Sequence, residues 1–296
     1  MLNFFQEMPR DSLLTKLIGS VPFCFKCGHL FLALQLVLGC SGRGTSFHLS
    51  PADADILNPV LADLRLSYDL TSSLKMQMKV VIEEKGKAEE VREILWYKRS
   101  NTDGDLLHIQ TMGVFNEPRI IAIAARGKFL LYFVNEREAI LESLEDSVLH
   151  AIFGIDLRVS DVLSAIFANP FLDGRLDCLS LSKSGRKLLV KRMGEKSGHV
   201  EEVMILLQEP NPTITKWIIK DQDGLTVQET KFSDYRDVGG ILRPFQVEIA
   251  RPLDQTKVLL KSIKPEINIE ISDQKFSFSF LPKNTKFSRI RSDHME

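Results

Sequence analysis

Alternation of apolar and polar side chains over short segments is the feature that most restricts the fold of this chain. Leu74, Met76, Met78, Val80 and Ile82 are separated by mostly polar residues, and this period of two is typical of a half-buried β-strand. Comparable segments, separated by turn residues, recur until residues 276–280, where three phenylalanines alternate with two serines. The pattern predicts a mainly β (α+β) fold of about eleven strands, arranged as an antiparallel sandwich or barrel.

Helical patterns occur at two places in the chain. Ser50 followed by Pro51 is a helix start signal, and Ile56, Val60 and Leu64 recur at every fourth position to give one apolar face. In the middle of the chain, residues 146–154 and 160–169 predict two short, strongly apolar helices. We expect one side of this helix pair to pack on the sheet and the other side to contact something else.

A short apolar stretch over residues 30–38 ends in Gly39 and Cys40. It is shorter than the ~20 apolar residues that cross a bilayer as a helix. A basic flank, an apolar stretch and a small residue, in that order, describe a secretory signal peptide. A cysteine directly after the small residue resembles the lipobox of bacterial lipoproteins. We therefore predict a lipoprotein-type signal peptide over 1–39, lipidation of Cys40 and a tether over 40–49. An ordinary signal or anchor and a buried core helix are the alternatives.

The other cysteines agree with this interpretation. Cys24 and Cys27 form a CxxC pair, but the pair lies in the predicted leader and lacks the further ligands that a tetrahedral zinc site needs. Once the leader is removed and Cys40 is acylated, Cys178 is the only free thiol. The mature domain is therefore expected to be stabilised by its core and not by disulfides.

Composition excludes one class of partner. The formal net charge is -1 and the isoelectric point is about 6.6, which argues against a protein that binds nucleic acid electrostatically. The hydrophobic fraction of 44% and the charged fraction of 26% are ordinary for a globular protein. Because no linker or low-complexity segment interrupts the strands, we predict one domain over 50–285, followed by a charged tail over 286–296.

Common catalytic and metal-binding motifs do not occur in the sequence. The six histidines form neither HExxH nor an HxH pair, and there is no Gly-x-Ser-x-Gly elbow. The Gly-rich residues 39–45 lack the Gly-Lys-Ser/Thr ending of a phosphate-binding loop. We therefore predict a protein that is not an enzyme and that needs no metal and no cofactor.

Bulky, adaptable side chains occupy the apolar positions of the predicted strands. Methionine and phenylalanine can repack around flexible apolar ligands. A curved sheet of this kind, covered by two apolar helices, would enclose a cavity for an acyl chain, although a filled barrel core fits the pattern equally well. The predicted cavity residues are Met76, Met78, Trp96, Met112, Phe129, Phe133, Met204, Trp217, Phe245 and Phe278.

The order of these elements resembles the LolA/LolB superfamily of periplasmic lipoprotein carriers and outer-membrane lipoprotein receptors. Residues 153–170 are similar to the family's lid region, and residues 232–244 are similar to its late strand pair with a proline before the next strand. The resemblance implies an incomplete antiparallel β-barrel with a helical lid and an apolar cavity for the acyl chains of lipoproteins or lipids. The lid would include Val148, Leu149, Ile152, Phe153, Leu163, Ile166 and Phe167.

The resemblance also implies a location and partners. LolA-type carriers are soluble, whereas LolB-type receptors are lipoproteins, so Cys40 favours a receptor. Residues 113–118 match the receptor loop whose exposed apolar residue helps to pass lipid to the membrane, a role for Val114 or Phe115. Ser41 stands where an inner-membrane retention signal would place aspartate. The expected protein is a monomer anchored on the periplasmic face of the outer membrane, supplied by a periplasmic carrier. An envelope structural or sensory lipoprotein with a filled core, which binds a protein partner, is the alternative.

Overall fold

Helix α1 begins where the sequence predicts. In the computed structural model, which describes residues 50–144, 159–173, 178–194, 198–209 and 211–288, α1 spans Pro51–Asp69. Its N-cap Ser50 accepts a hydrogen bond from the backbone N–H of Asp53 at 3.1 Å. The buried side chains of the helix are Leu57 and Leu64. Ile56, which we expected on the apolar face, is 36% exposed because the buried stripe passes through Leu57 instead.

Several predicted features lie outside the described residues. They are the signal peptide and tether with Cys40, the first helix of the apolar pair, and four of the lid residues, namely Val148, Leu149, Ile152 and Phe153. The described residues fall within one compact unit, Phe47–Glu296. None of the helices described is both long enough and apolar enough to cross a membrane.

Within the described ranges, fourteen strands form a single open, curled sheet. Neighbouring strands are antiparallel except for the last, β14, which runs parallel to β6. The strands are β1 (Ser73–Glu84), β2 (Lys87–Lys98), β3 (Leu106–Met112), β4 (Pro118–Ala125), β5 (Lys128–Phe133), β6 (Glu138–Ser143), β7 (Cys178–Ser184), β8 (Lys187–Met193), β9 (Val200–Leu206), β10 (Thr213–Lys220), β11 (Thr226–Val238), β12 (Ile241–Arg251), β13 (Thr256–Ile267) and β14 (Lys286–Ser288).

The strand order shows how the barrel is built and why it stays open. Strands β1–β6 and β7–β13 are two meanders, joined side by side through the pairing of β1 with β13. Strands β7 and β14 lie at opposite ends of the sheet order, so the sheet does not close on itself. The predicted mainly β fold with an incomplete antiparallel barrel is confirmed, with fourteen strands instead of about eleven.

Two-residue turns set the register of the first meander. Lys85 and Gly86 have φ angles of 50° and 79°, and Arg126 and Gly127 have φ angles of 53° and 69°. Turns with both central residues in the left-handed region match the twist of the strands that they connect. The turn at Lys85 and Gly86 leads into the pairing that places Met78 of β1 opposite Glu93 of β2.

The sequence pattern missed three strands and predicted one that does not form. Strands β6, β7 and β14 were not anticipated, and β14 lies within the predicted charged tail. Conversely, residues 276–280 are not a strand: a 3-10 turn, Asp273–Phe276, leads into irregular chain. The backbone N–H of Ser279 donates to the Ser277 hydroxyl at 3.1 Å, and local bonds of this kind compete with strand pairing.

The sheet is covered on both faces in its first meander. On one face, called the helix face below, two clusters pack against α1 and against a second helix, α2 (Val159–Phe167). On the opposite outer face, a third cluster joins β3–β6 to the chain that follows β13, and Phe276 is buried there. Strands buried on both faces have near-continuous apolar sequences, which residues 120–125 and 129–133 show.

Candidate functional site

Helix α2 lies on the helix face of β1–β5. Phe167, at its C-terminal end, is 7% exposed, whereas Leu163 and Ile166 are partly buried against the same cluster. The cluster contains Met76 and Met78 of β1. The three predicted lid residues that the structure describes therefore pack in the same cluster as the strand residues beneath them. Their action as a lid stays a prediction.

The Phe167 ring is held by three side chains from different elements. It meets Tyr68 of α1 edge-on at 4.9 Å between ring centroids and Tyr97 of β2 at 5.0 Å. The guanidinium carbon of Arg243, in β12, lies 5.0 Å from the ring centroid. Because β2 and β12 are separated by β1 and β13, the sheet must curl to bring both strands to one ring.

Arg243 also holds the backbone at the end of α2. Its Nη2 donates to the carbonyl oxygen of Ile166 at 2.9 Å. Carbonyl groups in the last turn of a helix lack intrahelical partners and carry partial negative charge, so a buried cation stabilises them. Burial lowers the pKa of Arg243 to about 10, which leaves the guanidinium charged at neutral pH.

A buried ion pair holds the 3-10 turn Pro170–Asp173 that follows α2. Arg192 Nη2 lies 2.8 Å from Glu201 Oε2, and the indole N–H of Trp217 donates to the same oxygen at 3.1 Å. Arg192 Nη2 also donates to the carbonyl oxygen of Pro170 at 2.8 Å. Trp217, predicted to line a cavity, thus lies on the helix face as part of a polar network beneath this turn.

The helix face contains five of the ten predicted cavity residues. Four belong to the cluster that α2 covers, and Trp217 belongs to the cluster that α1 covers. In β1 the apolar positions of the alternation all belong to the helix-face cluster that includes α2, so they share one face of the strand as the sequence predicts. The five residues are Met76, Met78, Phe129, Phe133 and Trp217.

Four other predicted cavity residues lie on the outer face. In β2, Leu95 and Tyr97 pack in the helix-face cluster, so Trp96 between them points the other way and packs in the outer cluster. The Lys275 ammonium lies 3.6 Å from its ring centroid. The alternation did not separate the faces for three of these positions because both faces of their strands carry apolar residues, and Phe278 lies outside any strand. The four residues are Trp96, Met112, Met204 and Phe278.

Phe245, the tenth predicted cavity residue, lies under an exposed cation. The guanidinium carbon of Arg236 is 4.4 Å from its ring centroid, and Arg236 is in turn bonded to Asp234. Asp234 has a φ of 55°, which interrupts the alternation of β11 at this point. The ring is half-buried beneath a surface ion pair, in contrast to Met76 and Met78 under α2.

Glu93 is a residue of the helix face that the sequence analysis did not single out. It lies in β2 between Val91 and Leu95, and it pairs with Met78 on one side and Thr111 on the other. The Thr111 hydroxyl donates to its carboxylate at 3.2 Å. Burial raises the pKa of Glu93 to about 7, and this hydrogen bond opposes the rise. The sequence could have indicated Glu93, because it is a charged residue at a position where the two-residue period calls for an apolar one.

The loop between β3 and β4 presents two apolar side chains to solvent. Val114 is 57% exposed and Phe115 is 86% exposed. The loop is ordered by its own backbone and by Glu117: Gly113 N–H donates to the Glu117 carbonyl at 2.7 Å, and Phe115 N–H donates to the Glu117 carboxylate at 3.0 Å. Asn116 adopts a φ of 60°, which completes the turn. The predicted transfer loop is therefore exposed, and its role stays a prediction.

Metal ligands do not cluster in the part of the chain that the structure describes. No group of three or more His, Cys, Asp or Glu side chains there is arranged to bind a metal ion. The described titratable groups with raised or lowered pKa values are explained by burial and by pairing with neighbours, as for Glu93 and Arg243.

Comparisons with known proteins identify the fold. Neither a protein-family model nor a curated protein sequence matches the chain. Among solved structures, a DUF1329 family protein from Desulfovibrio piger has a TM-score of 0.57 at 15% identity, covering 76% of this chain and 99% of its own. A putative outer membrane lipoprotein-sorting protein domain from Vibrio parahaemolyticus has a TM-score of 0.56 at 11% identity, covering 76% and 98%.

A LolA superfamily protein from Nitrosomonas europaea is also similar, with a TM-score of 0.51 at 11% identity over 75% of this chain and 99% of its own. In all three cases nearly the whole of the solved chain is matched. At these identities the likeness concerns the arrangement of the backbone. It confirms the predicted resemblance at that level, and the chain has a LolA-like fold.

Proposed function

We propose that this protein binds acyl chains on the helix face beneath α2 and takes part in lipoprotein or lipid transfer in the cell envelope. The observation that carries the proposal is the composition of that face. An open, curled sheet presents Met76, Met78 and Phe133 to a helix of nine residues. Two of the apolar side chains of that helix, Leu163 and Ile166, are only partly buried.

The free energy for binding would come from apolar burial. Each buried methylene contributes about 0.8 kcal/mol, so a chain of ten methylenes can offset the ordering of the ligand and the displacement of a short helix. Transfer needs no covalent step; it needs only a second site of similar affinity. This agrees with the fold shared with a protein described as a putative outer membrane lipoprotein-sorting domain.

The location and the route of transfer are further parts of the proposal. Lipidation at Cys40 would anchor the protein to the outer membrane, and a periplasmic carrier would deliver the acyl chains to the monomer. Val114 and Phe115, exposed at the tip of the β3–β4 loop, would contact the bilayer during release. A side chain that is 86% exposed and fully apolar is well suited to enter the interfacial region of a membrane.

A binding assay on the unit 47–296 tests the proposal. An apolar fluorophore should bind and be displaced by a C12 acyl chain. Met78→Gln, which puts a polar group of similar size on the helix face, should weaken binding about ten-fold. Met204→Gln makes the same change on the outer face and should leave binding unchanged. If neither fluorophore nor acyl chain binds, the envelope protein with a filled core and a protein partner becomes the better account.

A further inference from the structure

The Glu93 carboxyl is an ionisable group set among apolar side chains of the wall beneath α2. Its cross-strand neighbour Met78 and its strand neighbours Val91 and Leu95 are all apolar members of the same cluster. Its only hydrogen bond described by the structure is the one from the Thr111 hydroxyl, at 3.2 Å. A carboxylate can accept several hydrogen bonds, so the oxygens of Glu93 retain acceptor capacity toward a ligand.

Strands β1–β6 give this part of the helix face a mostly acidic charge, and the buried cation Arg243 of β12 donates to the Ile166 carbonyl and lies against the Phe167 ring. In the described strands β1–β6, Lys87 at a hairpin tip is the only basic residue at a helix-face position. The acidic residues at such positions include Glu93 in β2 and both Glu138 and Glu142 in β6. A negatively charged head group placed beside Glu93 would be repelled, whereas a cation that donates hydrogen bonds would be attracted.

We propose that the helix face selects lipids that carry a cationic, hydrogen-bond-donating nitrogen at the head-group end of the hydrocarbon chain. The nitrogen would bind the Glu93 carboxylate while the chain lies along Met78 and its apolar neighbours. This inference rests on the proposed binding of acyl chains at the same face, and it names the ligand class. Glu93 would act as a specificity-determining residue, and the apolar wall would supply the affinity that is common to all chains.

Three ligands with the same C12 chain and different head groups test the inference: dodecylammonium, dodecanol and dodecanoate, each below its micelle concentration. Affinities are measured with the unit 47–296 at pH 8, above the Glu93 pKa of about 7. We expect dodecylammonium to bind about ten-fold more tightly than dodecanoate, with dodecanol between them, as one charge-assisted hydrogen bond implies. Equal affinities for the three ligands would overturn the inference.

Two variants separate the site from general charge effects. Glu93→Gln keeps the size of the side chain and should bring the ratio of ammonium to carboxylate affinity close to one. Glu90→Gln removes the same charge from the same strand on the outer face, where Glu90 pairs with Lys79 at 2.6 Å, and should leave the ratio unchanged. A ratio that falls equally in both variants contradicts a role for Glu93. Failure of dodecanol to bind would contradict the proposed function itself.

Discussion

Arg243 shows how a single buried charge can hold a covering helix in place on the sheet. It donates to the Ile166 carbonyl at 2.9 Å and lies 5.0 Å from the centroid of the Phe167 ring. Both contacts are with the C-terminal end of α2, so this residue couples the helix to β12. Nothing in the sequence distinguishes Arg243 from the many surface arginines, because its role depends on a contact between residues 77 positions apart.

Replacing Arg243 should therefore loosen α2 more than it changes the sheet. Arg243→Met leaves the last carbonyls of the helix without their donor, and we expect a loss of about 1–3 kcal/mol in the free energy of unfolding. Amide hydrogen exchange in residues 159–167 should accelerate, while exchange in β1 and β2 should change little. Arg236→Met, at an exposed cation over Phe245, is the matched control and should change the free energy of unfolding much less. Equal effects of the two variants would contradict this role.

His108, which lies on the outer face, makes the free energy of unfolding depend on pH. Its Nδ1 lies 2.6 Å from the Lys275 carbonyl oxygen, and among the described residues its buried Nε2 has no hydrogen-bond partner. Burial lowers the pKa of His108 to about 4, and the nearby Lys275 ammonium acts in the same direction. The folded state therefore binds a proton at this site less readily than the unfolded state does.

It follows that protonation of His108 favours unfolding. We expect its contribution to stability to be lost as pH falls from about 6.5 toward 4, by an amount on the order of 3 kcal/mol. Chemical denaturation at several pH values measures this contribution as the difference in free energy of unfolding between the wild type and His108→Gln. The variant should lose less stability than the wild type over this window. Parallel pH profiles for the two proteins would show that His108 does not carry the effect.

At the scale of elements, the alternation of apolar and polar residues predicts where strands form, but it often does not predict which face of the sheet a side chain occupies. In β1, polar residues separate the apolar ones, and the predicted buried side chains Met76 and Met78 do face α2. In β2, Ile94 and Trp96 are interleaved with Leu95 and Tyr97, so the pattern cannot tell which pair faces the helix. The deciding factor is the chain after β13, which covers the outer face and packs against the partly buried Trp96 there. Such coverage is a tertiary effect that local sequence does not encode.

The β3–β4 loop is the element whose function is easiest to separate from folding. Phe115→Ser should leave the free energy of unfolding within about 0.5 kcal/mol of the wild type, because the ring is 86% exposed. The same change should weaken binding to lipid vesicles and slow the release of a bound acyl chain into them. Ile263→Ser, at an apolar residue of β13 that is 56% exposed, is the control and should do neither. If the two variants behave alike in the vesicle assays, the loop has no special role.

At the scale of the whole molecule, we propose that a lipid anchor precedes a LolA-like domain. The sequence predicted the class of fold from strand alternation and from the resemblance of residues 153–170 and 232–244 to the LolA/LolB superfamily. It did not predict β6, β7 or β14, because β14 has only three residues and β6 and β7 carry few bulky apolar side chains. Glu93 was missed because, in a strand with several charged residues, one more carboxylate looks solvated until the register places it against Met78.

The anchor can be tested on the full chain. Cys40→Ala removes the thiol that would be acylated, and we expect the protein to move from the membrane fraction to the soluble fraction. The domain should keep its fold, because the unit 47–296 is compact by itself. Cell fractionation, with circular dichroism of the released protein, measures both outcomes. A variant that remains bound to the membrane would contradict lipidation at this position.

The central claim is that acyl chains bind on the helix face, and photo-crosslinking tests it most directly. A C12 fatty acid and a C12 amine, each with a diazirine at the chain end, are bound to the unit 47–296, irradiated and located by peptide mass spectrometry. We expect crosslinks in β1 and β5, around Met78 and Phe133, and in α2. Crosslinks confined to the outer face, around Met204 or residues 269–281, would contradict the account, as would the absence of any crosslink to the protein.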